Sequence, residues 1–175
     1  ANDAGPNTPK TWQAFFDPEV KASRSMYRQP YTTLELALIA DGVSPKELYP
    51  LDVDRAFKVL ERIKPQVINW WRSGSDSAQL LRSREVDALS IWASRVDELK
   101  KSGDDVDYTY DHALVDYDCL IVPKGAPNKE LAMKLIAEIM KPHSQATLVT
   151  LIPNPPINVN AYDTGIIPAD LSATL

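Results

Sequence analysis

Apolar residues recur at two alternating periods along this chain. The clearest helical stretch is Asp52–Ile63, where Val53, Ala56, Phe57, Leu60 and Ile63 fall at helical spacing and Asp54, Arg55, Lys58, Glu61 and Arg62 lie outside the stripe. Asp52 reads as its cap and Pro65 as its stop. The run Val67–Trp71, with only Asn69 polar, is the pattern of a buried strand. Other strands are expected at Ser25–Tyr27, Val86–Trp92, Val106–Tyr110 and Asp118–Val122. Helices are expected from the Thr11 cap to Phe16, from Pro30 to Ala40 with Gly42 as carboxy-terminal cap, and over one turn in Ser44–Tyr49. Further helices are expected from an Asp76 or Ser77 cap to Ser83, over Ser94–Lys101, from an Asn128 cap to Met140, and over Ser144–Leu151. In the Asn128–Met140 helix Ala132, Leu135, Ile136 and Ile139 form the inner face. Residues 1–10 read as a tail or linker stub, and Pro153–Pro156 as extended chain.

Repeated strand–helix alternation with short connections predicts an α/β fold, a mostly parallel sheet flanked by helices. In such sheets ligands sit beyond the carboxyl ends of the strands, where loops lead into helix amino termini. That rule selects 27–32, 73–77, 92–94 and the loop around 110–118 as candidate binding segments.

The 175 residues suffice for one domain with a real core, or one and a half small ones. A formal charge of -5 argues against nucleic acid or anionic lipid as a partner. The apolar stretches, such as 34–40 with Glu35 inside it, fall far short of the ~20 residues of a membrane span. Residues 1–10 carry no basic start and no apolar run, the pattern of a mature secreted chain or of a fragment. Cys119 has no second cysteine to pair with. The two histidines, His112 and His143, lack metal-ligand spacing, and the six glycines never cluster into a phosphate loop. Neither a cofactor nor a metal is therefore expected, and a binding module is favoured over an enzyme.

Several segments resemble one family. Thr11-Trp12-Gln13-Ala14-Phe15-Phe16-Asp17-Pro18 is similar to the opening of its second lobe. Leu51–Phe57, Ala78–Leu81 and Glu85–Asp87 resemble its middle. Val122–Ala132, reading VPKGAPNKELA, is similar to its strand-to-helix return. The family is that of the extracellular solute-binding proteins of the polyamine type, the spermidine/putrescine-binding receptors of ABC importers. The resemblance runs from Thr11 to about Asn158 and implies a periplasmic-binding-protein fold of type II. Two lobes would hold a small molecule between them for delivery to an inner-membrane permease. Members are about twice as long. The resemblance therefore implies a second lobe over residues 11–115 and a crossover with part of the first lobe over 116–175. The amino-terminal half would be a missing partner, and the apolar stripe of the returning helix would lack its sheet.

The same resemblance implies ligand contacts. Trp92 occupies the place of a cleft tryptophan that stacks on the ligand; the alternative is a packed core residue at a strand end. Asp118 matches a carboxylate that pairs with a ligand ammonium, against an exposed loop acid. Asp116, where members carry a second tryptophan, would share a side with Asp118 if the strand extends back. Departures are as informative. Gln29 and Thr32 stand where polyamine binders place two acids, and Asn154 stands where a tyrosine is usual. Desolvating several ammonium groups requires carboxylates, so their loss argues against a polyamine as such. Gln29, Tyr31 and Thr32 at one helix start, and Ser75 at another, suit a neutral or carboxylate-bearing group, or serve only as caps. Three readings follow: transport of a polyamine-like solute, amine or zwitterion, or of a small organic or phosphorylated anion; a sensory domain of the same architecture; and, least favoured, an enzyme using Asp116 and Asp118 as an acid–base pair.

Overall fold

A computed structural model describes residues 8–152 and 154–172. The chain forms two compact units, Ala1–Leu114 and Val115–Leu175. Of the expected amino-terminal tail, residues 1–7 lie outside the described residues.

The first unit runs α1 (Trp12–Phe15), β1 (Arg24–Tyr27), α2 (Pro30–Ala40), α3 (Val53–Ile63), β2 (Val67–Trp71), α4 (Gly74–Arg82), β3 (Ala88–Leu89) and α5 (Ala93–Lys101). Its three strands are all parallel in the order β2-β1-β3. The central strand β1 and helix α2 carry the core: Met26, Leu36, Leu38 and Ile39 pack with Ala56, Val59 and Ile63 of α3 and with Val67. Helix α2 is buried over Thr33–Ile39, Glu35 included, as expected of a helix enclosed on all sides. The Glu35 carboxylate accepts a hydrogen bond from the Tyr49 hydroxyl at 2.8 Å.

Helix α3 forms as its pattern predicts, with the Asp52 side chain accepting from the Arg55 amide. Its buried stripe is Ala56, Val59, Leu60 and Ile63; Val53 and Phe57 are exposed, against expectation. Each residue advances 100°, so admitting Val59 to the stripe turns Phe57 out. Strand β2 is an edge strand rather than a buried one. Arg24 pairs with Val67 and Ser25 with Asn69, which leaves Ile68 as the extra residue of a bulge, 59% exposed. Of the strand expected at Val86–Trp92 only Ala88–Leu89 forms. Val106–Tyr110 forms none: Val106 packs on Val96 and Leu99, and the Tyr108 hydroxyl donates to Asp97 at 3.0 Å. Side chains thus anchor that segment without a ladder.

Arg24 is fully buried. Its guanidinium donates to the carbonyls of Ala22 (2.8 Å), Val20 (2.8 Å) and Asp17 (2.9 Å) and to the Gln66 side chain. The Gln66 amide in turn donates to the Pro18 carbonyl. One cation thus satisfies the irregular segment that feeds β1, where no ladder is available. Asp41, at the end of α2, accepts from Arg62 and, at 2.7 Å, from Arg55, which ties α2 to α3.

The second unit contains α6 (Lys129–Ile139), α7 (Pro142–Leu151) and α8 (Ala169–Ser172). Ala146, Val149, Ala161 and Ile167 form its core. The Asn128 side chain caps nothing, and α6 has no buried residue. Among the described residues this unit holds no strand, so Asp118–Val122, expected as one, has no neighbour to pair with; Ile121 is 78% exposed.

Arg24→Met should lower stability by about 3 kcal/mol, because one buried and two partly buried carbonyls lose their donor. A urea midpoint equal to the parent's would refute that. Arg62 and Arg55 hold the Asp41 carboxyl below the usual carboxylate range. A lowered folded-state value stabilises above the unfolded value of about 4 and is lost as pH falls. Asp41→Asn should therefore cost about 0.5–1 kcal/mol at neutral pH, with the gap closing below about pH 3 in paired unfolding curves.

Candidate functional site

Strands β1 and β2 end side by side, with Tyr27 paired to Trp71. The Tyr27 ring stacks on the Trp71 indole at 4.3 Å and 19°. Trp71 is buried, and its Nε1 donates to the Ser90 carbonyl at 2.8 Å. That bond fixes the indole and draws the chain beyond β3 against the strand ends. Two residues later Trp92 meets both rings edge-on, at 5.3 Å from Trp71 and 5.6 Å from Tyr27. Trp92 remains 40% exposed. The expected pair of alternatives, core or ligand surface, resolves into one ring that packs by its edges and still presents surface to solvent. Trp92 is not at a strand end; it is the residue immediately before α5.

Tyr31 lies edge-on to Tyr27 at 5.6 Å and is 45% exposed. The start of α2 is not the regular helix terminus expected for Gln29, Tyr31 and Thr32. Tyr31 (φ -64°, ψ 148°) and Thr32 (φ 63°, ψ -42°) break the helical path, and Gln29 makes no side-chain cap. A positive φ at a β-branched residue is strained. Its cause is local: the Tyr31 ring is held on Tyr27, and the Thr33 hydroxyl is bonded to the Tyr27 carbonyl at 2.9 Å, which pins the chain on both sides of Thr32.

Helix α4 starts beyond β2. Ser73, not Asp76 or Ser77, is its cap: Ser73 Oγ accepts from the Asp76 amide, and Asp76 accepts from the Ser73 amide. Ser77 instead bonds back to the Gly74 carbonyl. Ser75 Oγ lies 2.9 Å from Ser73 Oγ. Among the described residues the amides of Gly74 and Ser75 have no acceptor.

One turn into α5, Arg95 Nη1 donates to Glu98 at 2.9 Å. Arg95 Nε is buried without a partner. It sits so close to α4 that a Cβ on Gly74 would lie 2.5 Å from it, and 3.0 and 3.1 Å from two Trp92 ring atoms. A guanidinium thus packs against the positive end of a helix dipole, an arrangement that favours an anion beside it. Arg28 and Arg72, both exposed, follow directly on β1 and β2, with the Arg28 amide donating to the Trp71 carbonyl. This edge of the sheet is rich in cations where polyamine recognition requires acids.

Gln29, Tyr31, Thr32, Ser75 and Trp92 belong to the first unit, all at the carboxyl edge of its sheet or the helix starts beyond it. Asp116, Asp118 and Asn154 belong to the second unit. Asp116 and Asp118 are exposed and lie in irregular chain, so the shared strand face expected for them does not exist; Asp116 accepts from the Tyr117 amide. Asn154 borders a shallow hollow with Gln145, Val149 and Pro155; of the Pro-rich stretch, Pro153 lies outside the described residues. Of Tyr27, Trp71, Gly74 and Arg95, sequence placed Tyr27 and Gly74 inside the candidate segments 27–32 and 73–77 but named none of the four as a site residue. The signal was available for the first two, which end strands, and for Arg95, which lies three residues past Trp92 on a helix. Among the described residues no cluster of His, Cys, Asp and Glu is placed to hold a metal, and no helix is long and apolar enough to cross a membrane.

Residues 1–173 match the model of a family described as bacterial extracellular solute-binding protein. The chain is 33% identical over 156 residues to the gamma-aminobutyric acid-binding protein of Pseudomonas aeruginosa, covering 86% of this chain and 44% of that protein. It is 24% identical over 158 residues to the spermidine/putrescine-binding periplasmic protein of Escherichia coli, covering 89% and 45%. Among solved structures, an ABC transporter substrate-binding protein from Bradyrhizobium japonicum is 42% identical with a TM-score of 0.83, over 95% of this chain and 52% of that one. The Atu4243-GABA receptor is 37% identical with a TM-score of 0.86, over the same shares. The chain spans about half the length of these relatives. It belongs to the bacterial extracellular solute-binding proteins, a family of α/β binders.

Proposed function

We propose that this chain is half of the periplasmic receptor of an ABC importer, which captures a small solute bearing both a carboxylate and an amine and delivers it to a membrane permease. The observation that carries the ligand class is Arg95: a buried, unpartnered Nε against an amino-terminal helix end, beside the open surface of Trp92. The solute's carboxylate takes the guanidinium and the Gly74 and Ser75 amides. Its apolar stem lies on Trp92, with Tyr31 and Thr32 flanking. Such an arrangement combines charge-assisted bonds with an aromatic platform, the usual economy of a small-molecule site.

Residues 11–115 serve as the second lobe, and residues 116–175 as the crossover and the returning part of the first. Asp116 and Asp118 remain the carboxylates that the family resemblance offers to an amine, and Asn154 a further polar contact. The missing amino-terminal half supplies the opposite wall. A relative that binds gamma-aminobutyric acid supports a zwitterion. A polyamine is the weaker reading, since Gln29 and Thr32 offer no charge to compensate further ammonium groups.

Calorimetric titration of the intact two-lobed protein with γ-aminobutyrate, putrescine, spermidine and succinate tests this. The zwitterion should bind most tightly. Arg95→Ala should cost about 2–3 kcal/mol in affinity, Trp92→Ala about 1–3 kcal/mol, and Asp118→Asn should weaken γ-aminobutyrate more than succinate. Tightest binding of spermidine, with Arg95→Ala indifferent, would overturn the proposal.

A further inference from the structure

The first residue of α4 determines where two ligand-facing groups can be. Gly74 is buried, and its φ is not in the left-handed region, so the backbone there does not require glycine. The space does. A methyl group would meet Arg95 Nε at 2.5 Å, a distance that real Cβ atoms essentially never show, while the two Trp92 contacts at 3.0 and 3.1 Å need only a few tenths of an ångström of give. Arg95 is not free to yield in place, because its Nη1 is paired with Glu98 at 2.9 Å and its Nε is enclosed. Relief comes from swinging the guanidinium out toward solvent, which leaves α4 intact and empties the position beside its first amides.

We propose that Gly74 is a positioning residue: the missing side chain at the start of α4 seats the Arg95 guanidinium against that helix and beside the Trp92 ring, and so sets the spacing between the anion-binding group and the stacking surface. This rests on the reading of Arg95 as the carboxylate contact. Gly74 itself acts through Arg95 and Trp92. An alanine is otherwise a better helix former than glycine, so the loss comes from the displaced guanidinium and not from α4.

The test is a double-mutant cycle on the intact protein, with Gly74→Ala, Arg95→Ala and both together, read by γ-aminobutyrate affinity and by the melting temperature without ligand. Gly74→Ala should weaken binding about tenfold or more in the parent and less than about twofold once Arg95 is alanine, because the atom that the methyl group meets is gone. The melting temperature should fall by about 2–4 °C in the parent and by less than half of that in the Arg95→Ala background. Additive effects in both readouts would show that Gly74 only shapes the helix start, and would overturn the proposal. If Arg95→Ala leaves affinity unchanged while the melting temperatures remain non-additive, the carboxylate assignment fails and the seating of Arg95 by Gly74 stands.

Discussion

Parallel pairing of β1 with β2 brings Tyr27 level with Trp71, and the rest of the site depends on that register. Stacked there, the two rings make a floor that neither strand has alone. The Trp71 indole then fixes the Ser90 carbonyl, and with it the approach of Trp92. A slip of one residue would turn Trp71 to the other face and remove the floor, the anchor and the platform together. The buried Arg24 protects the register from below by satisfying the carbonyls of the segment that leads into β1.

The same edge of the sheet gathers charged groups. Arg28, Arg72 and Arg95 occur around the strand ends, and α4 directs unused amides there. Glu98 offsets only part of this charge, because its single bond leaves Arg95 Nε unsatisfied. A buried donor without a partner costs free energy. The strain at Thr32 belongs to the same economy, since it persists only where neighbouring contacts over-determine the backbone.

The two units differ in how much of their apolar surface is covered. The first has a continuous core from α1 through β2. The second buries four apolar residues around α7, while Leu131, Leu135, Leu151 and Ile157 are each more than half exposed. At about 25 cal/mol per Å2 of apolar surface, this exposure leaves several kcal/mol of burial unrealised. The chain spans about half the length of its relatives.

Local sequence determined the elements whose signals are short-ranged: α3 with its Asp52 cap, β2, the start of α2 at Pro30, and the family with its α/β architecture. Tertiary structure decided what depends on partners. Phe57 faces out because the stripe of α3 includes Val59; Asp118–Val122 is not a strand because, among the described residues, its unit holds no strand to pair with it. Ser73 rather than Asp76 caps α4 because capping is a geometric match between a side chain and an amide three residues on. Trp92 was legible as a candidate and Gly74 lay inside the candidate segment 73–77, but the roles of Trp71, Gly74 and Arg95 were not legible. A stacked ring, a missing methyl group and a buried guanidinium Nε acquire meaning only when residues far apart in sequence are brought within a few ångströms, and periodicity carries no record of that.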